Sequence, residues 1–147
     1  MYSAHTPISY HLPDNSTDDM HAFRNHVSID KDILIVEDEQ DLSALLLDVL
    51  ETEGHRARTA GNGLEALRRI EERRPQLILL DMMMPVMDGW QFIERLRANA
   101  EWTTIPVVVI TAVYDMSSLE RKTGAKAILT KPFDIELIVD AVDLYAD

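Results

Sequence analysis

The sequence predicts an α/β fold, a doubly wound parallel sheet of five strand–helix repeats, on three observations. Short apolar runs rich in Val, Ile and Leu recur along the chain: Ile33–Val36, Leu77–Leu80, Ile105–Thr111 and Ala127–Thr130. Runs that are apolar at every position belong to strands buried on both faces, as in a parallel sheet between two helix layers. Between them lie stretches whose apolar residues fall at helical spacing. The strands also end on chemistry-bearing residues, one after another.

Each element can be read in order. Met1 to about Asp30 has no sustained period and carries the breakers Thr6-Pro7, His11-Leu12-Pro13 and Asp14-Asn15-Ser16. It reads as a loose N-terminal arm, with the folded domain expected over residues 31–147. Four of the five histidines lie in the arm, His5, His11, His21 and His26. Their irregular spacing favours a solvated tail over a metal site. His21, Phe23 and His26 suit at most a short helical turn. The first strand is Ile33–Val36. A helix follows with Leu42, Leu45, Leu46, Val49 and Leu50 on its inward stripe, leaving Ala44 and Leu47 outward. Arg56–Ala60 is a weak strand. The next helix points Leu64, Leu67 and Ile70 inward. After the strand Leu77–Leu80, a helix marked by Trp90, Ile93, Leu96 and Arg97 starts from an Asp88 cap. The strand ending at Thr111 precedes a short helix over Ser117–Lys122. The strand Ala127–Thr130 leads to a closing helix from Asp134 to Ala146.

Composition narrows the function. At 147 residues the chain suits one domain with a proper core. A net charge of −12 argues against nucleic acid as a direct partner. The chain has no cysteine, which removes disulfides, thiolate zinc sites and thiol nucleophiles. No apolar run reaches membrane-spanning length, and the N-terminus lacks a secretion-signal pattern. A cytoplasmic protein without membrane insertion is expected.

The strand ends then carry the argument. In open α/β sheets the site lies beyond the carboxyl ends of the strands, where strand order reverses. Strand one ends in Glu37-Asp38, strand three in Asp81, strand four in Thr111 and strand five in Lys131-Pro132. Each residue alone has a plain alternative as a helix cap or a solvated side chain. Together they bring three carboxylates, a hydroxyl and an ammonium to one edge. Like charges ~4 Å apart repel by roughly 4 kcal/mol at an effective dielectric near 20, so such a cluster needs a cation. An all-oxygen set suits Mg²⁺, which shares its shell with phosphate oxygens. Asp81 is the available carboxylate nucleophile, and Lys131 and Thr111 would meet the oxygens of an incoming phosphoryl group.

From about Asp32 to Ala146 the chain resembles the receiver domains of two-component response regulators. The resemblance rests on Glu37-Asp38, on "DMMMPVMDG" from Asp81 to Gly89, on Thr111-Ala112, and on "KPF" at Lys131, Pro132 and Phe133. It implies a flavodoxin-like sheet in 2-1-3-4-5 order. It implies phosphorylation of Asp81 by a histidine kinase or histidine phosphotransfer protein. Mg²⁺ would sit on Asp38, Asp81 and the Met83 carbonyl, with Glu37 acting through water. Thr111, with its small neighbour Ala112, would be the switch hydroxyl, and Lys131 the phosphoryl-binding cation. Pro85, Gly89 and Pro132 would shape the loops. Met83 and Val113, two residues after Asp81 and Thr111, would flank the approach of a hydrolytic water and slow it. The methionines are expected to fill loop and core gaps rather than form a binding surface.

Two departures from the resemblance bear on output. Ile128, three residues before Lys131, stands where many receivers have an aromatic residue that swings inward. The stretch from Thr111 to Gly124 is about two residues shorter than usual. The last helix carries acids without Lys or Arg. A stand-alone switch or phosphorelay intermediate acting on a downstream protein is expected, catalytic only toward its own phosphorylation and dephosphorylation. An aspartate-nucleophile phosphatase is the competing enzyme class. Such enzymes carry a second Asp two residues after the nucleophile, where this chain has Met83. A non-phosphorylated pseudo-receiver that only binds proteins is the third class.

Overall fold

A computed structural model of the chain describes residues 30–112 and 115–147. The expected arm up to Ile29, with His5, His11, His21 and His26, and the expected water-flanking Val113 lie outside the described residues.

Five strands and five helices alternate. They are β1 (Asp32–Val36), α1 (Gln40–Thr52), β2 (Arg56–Ala60), α2 (Gly63–Glu72), β3 (Leu77–Leu80), α3 (Gly89–Ala98), β4 (Val107–Thr111), α4 (Met116–Thr123), β5 (Ala127–Thr130) and α5 (Ile135–Tyr145). All pairings are parallel, in the order β2-β1-β3-β4-β5 expected from the resemblance. Order reverses at β1, so the crevice between the carboxyl ends of β1 and β3 is where a ligand site belongs.

Side chains alternate across the strands and divide the core in two. Leu34, Val36, Ile78, Leu80, Val107, Val109 and Ile128 meet Ala66, Ile70, Phe92, Ile93, Leu96 and Leu119 of α2, α3 and α4. Ile33, Ile35, Leu77, Leu79, Val108, Ile110 and Leu129 meet Leu46, Leu50, Ile138, Ala141 and Val142 of α1 and α5. Each buried aliphatic side chain contributes roughly 1.5–3 kcal/mol relative to exposure, so this layer makes the sheet a rigid platform. Beneath it, Asp32 is buried and held by Arg58 at 3.3 Å and by Arg73, which ties the amino end of β1 to β2 and the end of α2.

Three helix faces depart from the periodicity reading. On α1 the buried residues are Ser43, Leu46 and Leu50, while Leu45 is 47% exposed and Leu47 packs against the core. Including Leu45 made the expected stripe too wide, and it centred that stripe on the wrong side of Leu46. On α2 the buried line is Gly63, Ala66 and Ile70, with Leu64 exposed. Gly63 decides this, because a Cβ there would lie 2.7 Å from Met87 Cγ. The small face approaches closely and turns Leu64 outward. On α3, Phe92 joins Ile93 and Leu96 inside. Arg97 is only half-buried, and its guanidinium donates to the carbonyls of Thr103, Ile105 and Thr123.

The α3 start follows expectation. The Asp88 side chain accepts from the Gln91 amide at 2.9 Å, and the Gln91 side chain accepts from the Asp88 amide at 3.1 Å, a reciprocal capping box. The helix α4 is capped by Asp115, which accepts from the Ser118 amide, and stops at Gly124 with φ of 63°. Among the described residues no helix is long and apolar enough to cross a membrane.

Candidate functional site

The carboxyl ends of β1, β3 and β5 deliver the expected charges to one place. One carboxylate oxygen each from Glu37, Asp38 and Asp81 lies within 4.8 Å of the others. Strand β5, two strands away from β3, supplies the counter-charge. Lys131 Nζ donates to Asp81 Oδ2 at 2.9 Å and to Glu37 Oε1 at 3.1 Å. Glu37 and Asp81 are buried, whereas Asp38 is exposed at the mouth.

Backbone groups complete the setting. The Met83 amide donates to Asp81 Oδ1 at 3.1 Å, and the Glu39 amide donates to Glu37 Oε2 at 3.1 Å. Each buried carboxylate is thus held by one main-chain N–H and by the ammonium, which fixes its direction. Thr111 is fully buried at the end of β4, and its carbonyl accepts from the Lys131 amide at 2.9 Å. That bond ties the hydroxyl-bearing strand end to the lysine. Ala112 follows and is exposed.

Electrostatics follow from the crowding. Burial pushes the Glu37 carboxyl from its ordinary 4.5 to about 7. The charge of Asp81 adds to the rise, and the Glu39 amide and Lys131 only partly offset it. For Lys131, burial favours the neutral form, but the hydrogen bonds and charges of Asp81 and Glu37 outweigh it and raise its pKa. The pocket therefore holds more negative charge than one lysine comfortably balances.

The loop after β3 is shaped by close contact and by strain. The Gly89 amide donates to the Met82 carbonyl at 3.0 Å, and a Cβ on Gly89 would stand 2.5 Å from Met82 Cα. The Pro85 carbonyl accepts from the Met87 amide at 2.8 Å, enclosing Val86 at φ of 70°. A β-branched residue in that region is a genuine outlier, and a one-residue turn of this hand is rare. The sequence gives no signal for it, since Asn or Gly would be the usual marker. Met82, Met84 and Met87 are buried, as expected of gap-fillers, but Met83 departs from that expectation, because its side chain is 62% exposed. Pro132 follows Lys131 through a cis peptide bond and is exposed.

The structure thus gathers Glu37, Asp38, Asp81 and Lys131, and it places Thr111, Ala112, Pro85, Gly89 and Pro132 around them. Sequence reading missed the two amides, of Met83 and Glu39, that orient the carboxylates. It also missed His55, buried at the opposite end of the sheet with Nε2 3.5 Å from Asp143 Oδ1.

A carboxylate fixed between an ammonium and two further acids, on the switch-point crevice of a 2-1-3-4-5 sheet, defines a class of phosphorylation-dependent signalling modules. Comparison with known proteins makes the assignment specific. Residues 33–143 match the response regulator receiver domain, and the chain belongs to that family. It is 41% identical over 115 residues to sporulation initiation phosphotransferase F of Bacillus subtilis (strain 168), covering 77% of this chain and 91% of that protein. It is 41% identical over 103 residues to the phosphate regulon transcriptional regulatory protein PhoB of Rhizobium meliloti (strain 1021), covering 69% of this chain but only 45% of that longer protein. The receiver domain of a signal transduction histidine kinase from Syntrophus aciditrophicus superposes with a TM-score of 0.73 at 32% identity, over 79% of this chain and 89% of that one. The chain is a phosphorylation-dependent receiver, a switch or phosphorelay intermediate of two-component signalling.

Proposed function

We propose that Asp81 is the phosphoacceptor, within a receiver domain spanning residues 31–147. The donor is a histidine kinase or a histidine phosphotransfer protein. An Asp81 carboxylate oxygen attacks the phosphorus of a phosphohistidine. The new O–P bond forms as the P–N bond breaks, and the imidazole leaves. The observation that carries this reading is the Lys131 Nζ to Asp81 Oδ2 contact of 2.9 Å beside two further carboxylates. It aims Asp81 into a pocket whose cation can turn to an arriving phosphoryl oxygen.

The donor set fits Mg²⁺, being all oxygen and over-charged toward the negative. Glu37, Asp38 and Asp81, with the Met83 carbonyl, would hold it, Glu37 through water. Bound there, Mg²⁺ would offset the charge that gathers as phosphate oxygens approach. Lys131 binds one phosphoryl oxygen, and Thr111, with Ala112 leaving room beside it, moves its hydroxyl toward another. That displacement biases the segment from Ala112 into α4 and carries the signal to a downstream protein. Ile128 is fully buried and aliphatic, so the readout runs without an aromatic side chain there. Neither Met83 nor, by its sequence, Val113 carries a side chain that can hydrogen-bond a hydrolytic water, which favours a long-lived phosphoaspartate. The reading is of a cytoplasmic protein that assists only its own phosphorylation and dephosphorylation.

The test is incubation with Mg²⁺ and acetyl phosphate, read by intact mass, alongside beryllofluoride titration followed by Trp90 fluorescence. A stable adduct lost in Asp81→Asn is expected. No adduct with either reagent would favour a protein-binding pseudo-receiver. Sustained turnover of a phosphomonoester would favour the phosphatase.

A further inference from the structure

A cleft at the edge of the sheet adjoins the acid pocket, and the receiver site leaves it unexplained. It has a volume of about 370 Å³ and runs between α1 and the end of β2, the outermost strand. One wall is Gln40, Ser43, Ala44 and Leu47, which share a face of α1 at i, i+3, i+4 and i+7 spacing. The other is Thr59, Ala60 and Gly61, joined by Glu65 of α2. Glu37 and Asp38 close the end nearest Asp81. Ligand cavities span roughly 300–1,000 Å³, so this one suits a small group.

Two independent features say what that group is. The first is charge. The lining holds the carboxylates of Glu37, Asp38 and Glu65 and no Lys or Arg. Lys131 and Arg69, which are not part of the lining, reach Glu37 Oε1 at 3.1 Å and Glu65 Oε2 at 3.2 Å. Each occupies one oxygen, and an ionised carboxylate has about four acceptor sites. The second feature is Ser43. It is only 7% exposed, and its hydroxyl makes no hydrogen bond to any other described residue. A hydroxyl inside a helix can bond back to the carbonyl four residues earlier, as buried Thr123 does to Leu119 in α4. Ser43 does not, and the Glu39 carbonyl accepts from its amide instead. Buried side-chain hydroxyls nearly always have a partner, so one left open beside a cleft marks a place for a ligand atom.

We propose that the cleft binds an alkylguanidinium, a planar cation on an apolar stem, carried by a free small molecule or by an arginine side chain. The cation meets Asp38, Glu65 and the Ser43 hydroxyl. Its five N–H donors fork outward in one plane and it is weakly hydrated, which suits acceptors spread around a half-apolar cleft. The stem lies along Ala44, Leu47 and Ala60. The site goes beyond the phosphoacceptor reading and does not depend on it, since Ser43, Thr59 and Glu65 play no part there.

The test is an amide NMR titration of the full-length chain with n-butylguanidinium in excess Mg²⁺, which competes away cations held only by the acid pocket. The amides of Ser43, Ala44, Thr59 and Gly61 should shift and saturate. The neutral analogue n-butylurea should bind roughly tenfold more weakly or worse. Ala44→Leu adds bulk to the cleft from an exposed helical position and should weaken binding by roughly tenfold. Glu65→Gln keeps an oxygen for the Gly61 amide, loses the charge and should weaken binding by roughly threefold. Retained amide dispersion in each variant checks that the domain stays folded. N-acetyl-arginine N-methylamide separates the two sources. Binding equal to that of n-butylguanidinium assigns an arginine side chain. Much weaker binding assigns a free small molecule, because the cleft then rejects the attached peptide units. The proposal is overturned if n-butylurea binds as tightly as n-butylguanidinium, or if Ala44→Leu binds as tightly as wild type. It is equally overturned if those four amides do not shift in excess Mg²⁺.

Discussion

Replacing Gly89 with alanine tests how the loop after β3 is held over the site. An added Cβ would stand 2.5 Å from Met82 Cα, 2.7 Å from Met82 Sδ and 3.0 Å from the Asp81 carbonyl oxygen. Ordinary contact begins near 3.4 Å, so the backbones must separate by 0.9 Å (3.4 − 2.5). Two of the three obstructing atoms are main chain, and no rotamer change relieves them. Overpacking of this kind costs roughly 1–3 kcal/mol. The Gly89 amide bond to Met82, 3.0 Å long, stretches as well, for about 1 kcal/mol more. The expected loss is about 2–4 kcal/mol in urea unfolding, with an unchanged m-value. The displaced segment adjoins Asp81 and Met83, and a misplacement near 1 Å at a reacting group can slow chemistry on the order of 100-fold. Phosphorylation by acetyl phosphate, measured on the folded variant, should slow accordingly. A variant within about 0.5 kcal/mol of wild type, the usual range of an inconsequential surface change, would refute the close-contact argument.

Three further outcomes are expected. With Glu37 raised to about 7 from 4.5, its contribution to stability is complete below the lower value and is lost as pH rises through the upper one. Metal-free protein should therefore lose up to about 3 kcal/mol between pH 5 and pH 8, a trend flattened in Glu37→Gln and seen by thermal melts with a chelator present. A pH-independent wild-type melt would sink this. Asp88→Ala removes the carboxylate that accepts from the Gln91 amide, leaving only the residue-88 amide to donate to the Gln91 side chain, and should cost about 1 kcal/mol in urea unfolding; no measurable cost would mean the side-chain cap is idle. Met83→Asn places a polar group at the water approach, and about 1.4 kcal/mol of added transition-state stabilisation would speed phosphate loss from the phosphorylated protein tenfold. Equal decay rates for the two proteins would argue against water exclusion by Met83.

How far the sequence reached depends on how local each signal is. Runs such as Ile33–Val36 and Leu77–Leu80 carry their burial in every residue, and the helices between them left only the doubly wound parallel sheet. The site charges were legible for a related reason. Each follows its strand directly, and parallel strands put all their carboxyl ends on one edge, so Glu37, Asp38, Asp81 and Lys131 had to converge. Helix rotation was another matter. Leu45 and Leu64 match an inward stripe by period, yet both face solvent, because facing surfaces set the angle at which a helix meets the sheet. For α2 that surface is Met87 against Gly63, residues distant in sequence. The strained turn at Val86, the amides of Met83 and Glu39 on their carboxylates, and the His55–Asp143 pair also became visible only in three dimensions. The chain's own pattern determines which segments are buried and which charges meet. Contacts between segments far apart in sequence decide how each helix is turned and which main-chain group holds each carboxylate, because those depend on a partner's shape that no local period encodes.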